Sequence, residues 1–180
     1  MPVKTHSADT IYMGRVITLT RESVTLENGV ETKLDIVRHP GATAIIPFIS
    51  RGSILMLRQY RHALADHIWE IPAGTLNAGE SPDLCAKREL EEETGYVAEK
   101  IVRLGEIIPV PGYSDELIHL YMATDLRVSG QNLDRDEVIE VREVGFYESF
   151  EMIRKGEIRD SKTISGLFMT RDYLERRRDG

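Results

Sequence analysis

The chain has 180 residues, of which 41% are hydrophobic, so it can form one domain with a buried core or such a domain with a small addition. Its formal net charge of −7 argues against nucleic acid or an anionic membrane as the main partner, although a local group of arginines can still bind a small anion. The single cysteine, Cys85, excludes an intrachain disulfide, and no apolar run reaches about 18 residues, which together predict a cytoplasmic protein.

The N-terminal region is predicted to form a small antiparallel unit. Residues 1–12 are expected to be an irregular lead-in, and Asn28-Gly29 is typical of a hairpin turn. The expected strands are short runs rich in β-branched residues, namely Val16–Thr20, Ser23–Leu26 and Leu34–Arg38. Because three short strands bury little surface alone, this unit should pack on the main domain, on another subunit, or on both. The predicted boundary separates an N-terminal unit, residues 1–40, from a catalytic domain, residues 41–180.

The remaining chain mixes strands and helices in an order unlike strict βαβ repetition. Ala42–Ile49 and Ile54–Tyr60 are predicted to form a buried hairpin, and Trp69–Gly74 a short strand. The later predicted elements are the strands Ile101–Ile108, Leu117–Ala123 and Val138–Val144 and the helices Glu148–Lys155 and Ser161–Arg177. This order favours a mixed sheet with helices on both sides.

One helix has clear start and stop signals. Ser81 is a favourable N-cap, Pro82 suits the first helical position, and Gly95 can adopt the left-handed conformation that ends a helix. These signals predict a helix over Pro82–Thr94. At about 100° per residue, one face of this helix carries three carboxylates, those of Glu89, Glu92 and Glu93.

Three carboxylates on one helix face repel one another unless positive charge lies against them. Arg88 can neutralise only part of this charge. The carboxylates by themselves leave two interpretations open. They form either a solvated acidic face or a site for a hard divalent cation, for which carboxylate oxygens select Mg²⁺ or Mn²⁺.

The wider pattern from Gly74 to Tyr96 favours the metal site. It consists of Gly74, five residues, Glu80, seven residues, and then Arg-Glu-Leu-x-Glu-Glu-x-Gly followed by Tyr96. This spacing resembles the Nudix box at every fixed polar and glycine position, with Tyr96 where an aliphatic residue is more usual. The resemblance implies an α/β/α sandwich with a mixed sheet. It also implies hydrolysis of a nucleoside diphosphate linked to another group, with Mg²⁺ as cofactor and Mn²⁺ as a substitute.

Position within the box implies roles for the three glutamates of the acidic helix face and for their neighbours. Glu89 and Glu93 resemble direct metal ligands, together with the main-chain carbonyl of Ala73. Glu92 would be a further ligand or a general base. Arg88 would orient the glutamates rather than contact the substrate.

Features outside the box resemble one branch of that family, the ADP-ribose pyrophosphatases. Pro111 begins the run Pro-Gly-Tyr-Ser-Asp-Glu after the box, Arg58–Arg61 and Trp69–Gly74 precede the helix, and a small β unit begins the chain. The resemblance implies hydrolysis of ADP-ribose to AMP and ribose 5-phosphate. It also implies a homodimer, in which the N-terminal unit contacts the partner subunit and helps to shape the substrate pocket.

The same resemblance implies four substrate-binding residues. Arg61 would contact the diphosphate, since a guanidinium bonds phosphate in a bidentate manner, and Arg38 is a second candidate. Glu70 would accept hydrogen bonds from the terminal ribose, and Glu116 would serve the pocket or the metals. The alternative for either arginine is an ordinary surface ion pair, and for Glu70 a partly exposed rim position.

The resemblance places the general base on a loop after the box, where Glu137 aligns best. Glu92 is the alternative base, and an ordinary solvated acidic loop is the alternative for Glu137. Base specificity is not encoded in any motif, so a hydrolase of another nucleotide sugar such as GDP-mannose is the rival enzyme. A module that binds ADP-ribose without cleaving it would be expected to lack a box glutamate, and this chain keeps them all.

Overall fold

A computed structural model describes residues 2–133, 135 and 138–177. The chain forms two compact units. The N-terminal unit contains the residues up to Gly41 together with Ile108–Leu117, and the main unit contains Ala42–Ile107 and the chain from Ile118 onward. The sequence-based division at residue 40 assigned Ile108–Leu117 to the catalytic domain, whereas the structure groups this segment with the N-terminal strands.

The N-terminal unit is a three-stranded antiparallel sheet in the order β1-β2-β3. Its strands are β1 (Lys4–Met13), β2 (Thr18–Thr25) and β3 (Glu31–Arg38). Gly29 has a φ of 82° in the turn between β2 and β3, as the Asn28-Gly29 pair predicts. The last strand is also bridged to Ser114, which ties the segment 108–117 to this sheet.

The prediction that residues 1–12 form an irregular lead-in is wrong. All of β1 is exposed, so its sequence shows no alternation of apolar and polar residues from which a strand could be predicted. Backbone hydrogen bonding to β2 stabilises it instead, with register shifts after Thr5 and Thr10. The predicted strands Val16–Thr20 and Ser23–Leu26 are one continuous strand, β2.

The main unit contains two sheets. A mixed four-stranded sheet has the order β7-β4-β9-β8, with β4 and β9 parallel, and an antiparallel three-stranded sheet has the order β10-β5-β6. The strands are β4 (Ala42–Pro47), β5 (Ser53–Arg61), β6 (Asp66–Glu70), β7 (Ala73–Thr75), β8 (Tyr96–Ile107), β9 (Ile118–Val128) and β10 (Ile139–Gly145). The helices are α1 (Pro82–Thr94), α2 (Glu148–Arg154) and α3 (Ser161–Arg176), and a 3₁₀ turn covers His62–Leu64.

Two predictions for this unit are corrected, one about a strand pairing and one about the length of a strand. The strands β4 and β5 are largely buried as expected, but they belong to different sheets, and the turn between them carries an isolated bridge between Phe48 and Ile54. The predicted strand Trp69–Gly74 is divided into β6 and β7 at Pro72, which has no N–H for a ladder. This division releases β7 from β6 and lets it pair with β4.

The strand β4 is buried on both faces, which explains its continuous apolar sequence. Ala44 and Ile46 pack in one core with Leu167 of α3, and Ile45 packs in the other with Ala86 and Leu90 of α1. Since neighbouring residues of a strand point to opposite faces, α1 and α3 cover opposite sides of the mixed sheet. This is the predicted α/β/α sandwich.

The helix α1 has the predicted bounds. The Ser81 hydroxyl accepts from the Leu84 N–H at 3.4 Å, and Gly95 ends the helix with a φ of 77°. None of the helices within the described residues is both long and apolar enough to cross a membrane.

Candidate active site

The carboxylates of α1 converge on one guanidinium. Glu89 and Glu93 are almost fully buried, whereas the Glu92 side chain is 35% exposed. One nitrogen of Arg88, Nη1, donates to Glu89 Oε1 at 2.5 Å and to Glu92 Oε2 at 2.9 Å. The predicted acidic face is therefore present, and two of its oxygens lie within hydrogen-bonding distance of the same point.

Glu80 fixes the other side of that guanidinium. Its carboxylate accepts from Arg88 Nε at 2.8 Å and from Nη2 at 2.9 Å, and it also accepts from the Asn77 N–H at 3.0 Å. The hydrogen bond from Arg88 lowers the pKa of Glu80 to about 2, and the same interaction raises the pKa of Arg88. The loop before α1 thus holds the arginine that touches the acidic face.

Gly74 lets the backbone of β7 approach Glu89 closely. A Cβ added at this position would lie 2.0 Å from the carboxyl carbon of Glu89, a distance that no side chain tolerates. Next to it, the Ala73 N–H donates to Glu93 Oε2 at 2.8 Å. The two buried glutamates are therefore in contact with successive residues of the same short strand.

The carbonyl and the N–H of Ala73 lie on the same edge of β7, and the N–H donates to Glu93. The Ile45 N–H donates to the Pro72 carbonyl at 2.9 Å, so the next pair along the ladder, Ala44 with Ala73, is a non-hydrogen-bonded pair. Backbone groups in such a pair point away from the partner strand. This arrangement agrees with the predicted use of the carbonyl as a ligand.

These donors fit a hard divalent cation, because they are carboxylate oxygens and a main-chain carbonyl. Among the described residues, no three His, Cys, Asp or Glu side chains are close enough together to hold a metal ion. Arg88 Nη1 instead donates to both Glu89 and Glu92. A cation bound at this point would replace that guanidinium contact, and the metal ligands remain predictions.

Cys85 points into the protein from the same helix. Its Sγ is fully buried and accepts from Thr43 Oγ1 and from Arg88 Nη2, both at 3.3 Å. Burial raises the pKa of this thiol to about 11, so it stays protonated at neutral pH. The thiol therefore has a packing role and is not a nucleophile.

Arg61 and Glu70 form a bidentate ion pair on β5 and β6. Arg61 Nη2 donates to Glu70 Oε2 at 2.5 Å, and its Nε lies 3.1 Å from both carboxylate oxygens. Glu70 is 3% exposed, which excludes the alternative of a partly exposed rim position, and the buried carboxylate is compensated by ion pairing. Burial lowers the pKa of Arg61, but the hydrogen bond to Glu70 and the charges of Glu93 and Asp160 raise it overall. Arg61 is thus within electrostatic reach of the acidic face.

A second cation on Glu70 was not predicted. Lys162 Nζ lies 3.2 Å from Glu70 Oε1 and 3.1 Å from Asp160 Oδ2, and its side chain is only 13% exposed. One sequence signal could have identified it, because a lysine in the first turn of a helix opposes the helix dipole and so calls for a local carboxylate. Asp160 supplies part of that charge as the N-cap of α3.

The first turn of α3 also holds the chain that leads into the box. Thr163 Oγ1 accepts from the Ile71 N–H at 3.0 Å and donates to Asp160 Oδ2 at 2.6 Å. A Cβ added at Gly166 would lie 3.1 Å from Ile71, which shows how closely the helix packs here. The segment between Glu70 and Ala73 is therefore fixed from both ends, by α3 and by Glu93.

Arg38 and Glu116 lie in the N-terminal unit. Arg38 donates to Asp115 Oδ2 at 2.9 Å and also binds Glu22, and the hydrogen bond to Asp115 raises the pKa of Arg38. Glu116 Oε1 lies 3.9 Å from His39 Nδ1. These contacts bind β3 to the segment 108–117, and the substrate roles of both residues stay predictions.

Glu137, the predicted general base, lies outside the described residues. Its role rests on the sequence alone. Glu92, the alternative base, is the most exposed of the three carboxylates on the acidic face.

Comparison with known proteins identifies the family. Residues 37–166 match the model of the NUDIX domain. The chain belongs to the Nudix family. This confirms the resemblance that was based on Gly74–Tyr96 and on the motifs around it.

Two relatives match this Nudix chain over most of its length. It is 42% identical over 162 residues to an ADP-ribose pyrophosphatase of Bacillus subtilis, which covers 89% of this chain and 88% of the relative. It is 44% identical over 163 residues to a methanol dehydrogenase activator of Bacillus methanolicus, with coverage of 89% and 88%.

A solved structure shares the Nudix fold described above. The crystal structure of an ADP compounds hydrolase matches with a TM-score of 0.86 and 20% identity, over 98% of this chain and 96% of that chain. The predicted fold is thus confirmed. The chain is a Nudix pyrophosphatase.

Proposed function

We propose that this protein hydrolyses the diphosphate of ADP-ribose to AMP and ribose 5-phosphate, with Mg²⁺ as cofactor and Mn²⁺ as a substitute. The observation that carries the proposal is the convergence of Glu89 and Glu92 on a single point, with Glu93 on the same face of α1. Arg61, which is paired with Glu70, is close enough for the charge of Glu93 to raise its pKa. A metal site next to a guanidinium suits a diphosphate, because both neutralise phosphate oxygens. The substrate is supported by the B. subtilis relative.

Glu89, Glu92, Glu93 and the Ala73 carbonyl would hold the cation. When bound, it neutralises phosphate charge and lowers the pKa of a water molecule. Glu80 keeps Arg88 beside the acidic face, so that the guanidinium compensates the carboxylates when no cation is present.

The residues outside the box bind and orient the substrate. Arg61 donates to the diphosphate oxygens, and Glu70 accepts from hydroxyls of the terminal ribose. The resemblance also makes Arg38 and Glu116 candidates for substrate binding. Glu137 takes the proton of the attacking water, or Glu92 does so if Glu137 cannot reach it.

The proposal includes a cytoplasmic homodimer in which the N-terminal unit contacts the partner subunit. The exposed strand β1 and the small size of its sheet support this association, since such a sheet buries little surface alone. Sedimentation velocity of the purified protein tests the dimer, and a truncation that removes β1 tests the contact. A monomer at micromolar concentration would contradict both.

Product analysis tests the reaction. ADP-ribose, GDP-mannose, NADH and diadenosine polyphosphates are each incubated with Mg²⁺ or with a chelator. Metal-dependent release of AMP and ribose 5-phosphate, with ADP-ribose preferred, supports the proposal. Preference for GDP-mannose would keep the metal chemistry and overturn the substrate. Tight binding of ADP-ribose without turnover would instead favour the non-catalytic sensing module.

A second candidate function comes from the B. methanolicus relative, whose name describes an effect on another enzyme. The chain would then raise the activity of a methanol dehydrogenase. Adding wild-type protein or the Glu93→Gln variant to such a dehydrogenase tests this. Activation by the wild type alone would mean that the effect depends on the metal site, and no activation would remove this candidate.

A further inference from the structure

Glu70 is a buried carboxylate that is paired with two cations, one exposed and one mostly buried. The Arg61 side chain is 40% exposed, whereas that of Lys162 is 13% exposed. We propose that Lys162 is a positioning residue, which keeps Glu70 in place when Arg61 turns from Glu70 to the substrate diphosphate. This inference rests on the proposed function for the identity of the ligand.

The two cations use the carboxylate oxygens differently. Arg61 Nη2 donates only to Oε2 at 2.5 Å, and its Nε is 3.1 Å from both oxygens. Lys162 Nζ contacts Oε1 at 3.2 Å. When Arg61 leaves, Oε2 therefore becomes an acceptor for a ribose hydroxyl, while Oε1 keeps an ionic partner.

Their anchors show which of the two cations can leave. Arg61 is the last residue of β5 and is followed by a 3₁₀ turn, so its exposed guanidinium can rotate toward an anion. Lys162 lies in the first turn of α3 and is also paired with Asp160 at 3.1 Å. Asp160 is itself bonded to the Thr163 N–H at 3.0 Å and to its hydroxyl at 2.6 Å. Lys162 is thus the fixed partner.

The need for a fixed partner follows from burial. A carboxylate that is 3% exposed is strongly destabilising when its only cation is removed. With Lys162 present, the withdrawal of Arg61 leaves one compensating charge against Glu70. Because of Lys162, Arg61 can pair with Glu70 in the free protein and bind the diphosphate in the substrate complex.

Steady-state kinetics of Lys162→Met test the role in binding. We expect kcat/KM for ADP-ribose to fall on the order of 10- to 100-fold, mainly through KM. Inhibition by ribose 5-phosphate should weaken by a similar factor, while inhibition by AMP stays unchanged, because Glu70 is proposed to bind the terminal ribose and not the AMP part of the substrate. Lys162→Arg should restore most of the activity, and Lys155→Met, at an exposed lysine, should match the wild type. Equal weakening of inhibition by both products would overturn the proposal.

A thermal-stability cycle tests the same residue without any substrate. The variants are Arg61→Met, Lys162→Met, the double variant, and the double variant combined with Glu70→Gln. The double variant should lose more melting temperature than the sum of the single variants, and Glu70→Gln should restore it. Additive losses would overturn the shared support of Glu70.

The two experiments separate the possible failures. If the wild type does not hydrolyse ADP-ribose, the proposed function fails, but the stability cycle still decides whether Lys162 supports Glu70. If Lys162→Met does not fold, Lys162→Met with Glu70→Gln replaces it. Recovery of folding in that variant supports the charge pairing, and persistent misfolding overturns it.

Discussion

The two ionic clusters of the main unit differ in their balance of charge. Around Arg88, one guanidinium contacts three carboxylates, those of Glu80, Glu89 and Glu92. Around Glu70, two cations contact one buried carboxylate, and Lys162 is also paired with Asp160, so the charges there balance. The first cluster lacks positive charge, whereas the second has a cation that it can release. A divalent cation is suited to the first cluster and an anionic substrate to the second.

The largest expected effect tests the deficit of positive charge at the first cluster. Glu93→Gln should lower turnover of ADP-ribose by about 10³-fold or more while the fold is kept, because the site then has too few carboxylates for a divalent cation. Turnover with Mg²⁺ and far-UV circular dichroism measure the two outcomes. Glu91→Gln is the matched control, since Glu91 binds Ser129 instead. Wild-type activity in Glu93→Gln would refute the metal assignment.

The next effect concerns the general base. Glu137→Gln should lower kcat by about 10²- to 10³-fold with little change in substrate affinity, because a base acts on the attacking water and not on ADP-ribose. Single-turnover rates and calorimetric binding with a non-hydrolysable analogue measure these quantities. Glu157→Gln, at an exposed glutamate, provides the control. A rate close to that of the wild type would transfer the role to Glu92.

Arg61→Lys tests whether Arg61, the cation that the second cluster can release, binds the diphosphate in a bidentate manner. This change keeps the charge but removes the bidentate geometry, so kcat/KM should fall by about 10- to 100-fold. Arg58→Lys is a control on the same strand, where the guanidinium packs 5.8 Å from the ring centroid of Trp69. Equal kinetics for Arg61→Lys and the wild type would mean that Arg61 does not bind the diphosphate in a bidentate manner.

The smallest effect is a pH dependence of stability at the first cluster. Arg88 lowers the pKa of Glu80 to about 2 from its ordinary value of 4.5, so this pair stabilises the fold above about pH 4.5 and is lost as the pH falls toward 2. After allowance for solvent screening, Glu80→Gln should cost about 1 kcal/mol at pH 7. Chemical denaturation at pH 7 and pH 3 measures the difference. A cost that does not shrink at pH 3 would contradict the ion-pair explanation.

The two clusters also differ in how far the sequence predicts them. Apart from Glu80 in the preceding loop, the cluster around Arg88 lies on one helix. The caps of this helix, Ser81 and Gly95, are local signals, so its bounds and its acidic face follow from spacing alone. The cluster around Glu70 joins β5, β6 and α3. Residues as distant in the chain as Glu70 and Lys162 meet only through tertiary packing, which spacing does not encode.

The strands show the same limit. Buried β4 is evident from its continuous apolar sequence, but its parallel pairing with β9 is not, because a hairpin with β5 satisfies the same pattern. Exposed β1 has no burial pattern at all, and its backbone pairing with β2 defines it. Sequence patterns report burial and local caps well, and they report the choice of strand partner poorly.

The buried thiol of Cys85 has a practical consequence for future work. It is the only cysteine of the chain, and with a pKa of about 11 and no exposed surface it will not react with maleimides at neutral pH. A cysteine introduced at an exposed position such as Ser7 would be the single reactive thiol. Fluorescent or spin labels can therefore be attached to β1 of the otherwise native protein.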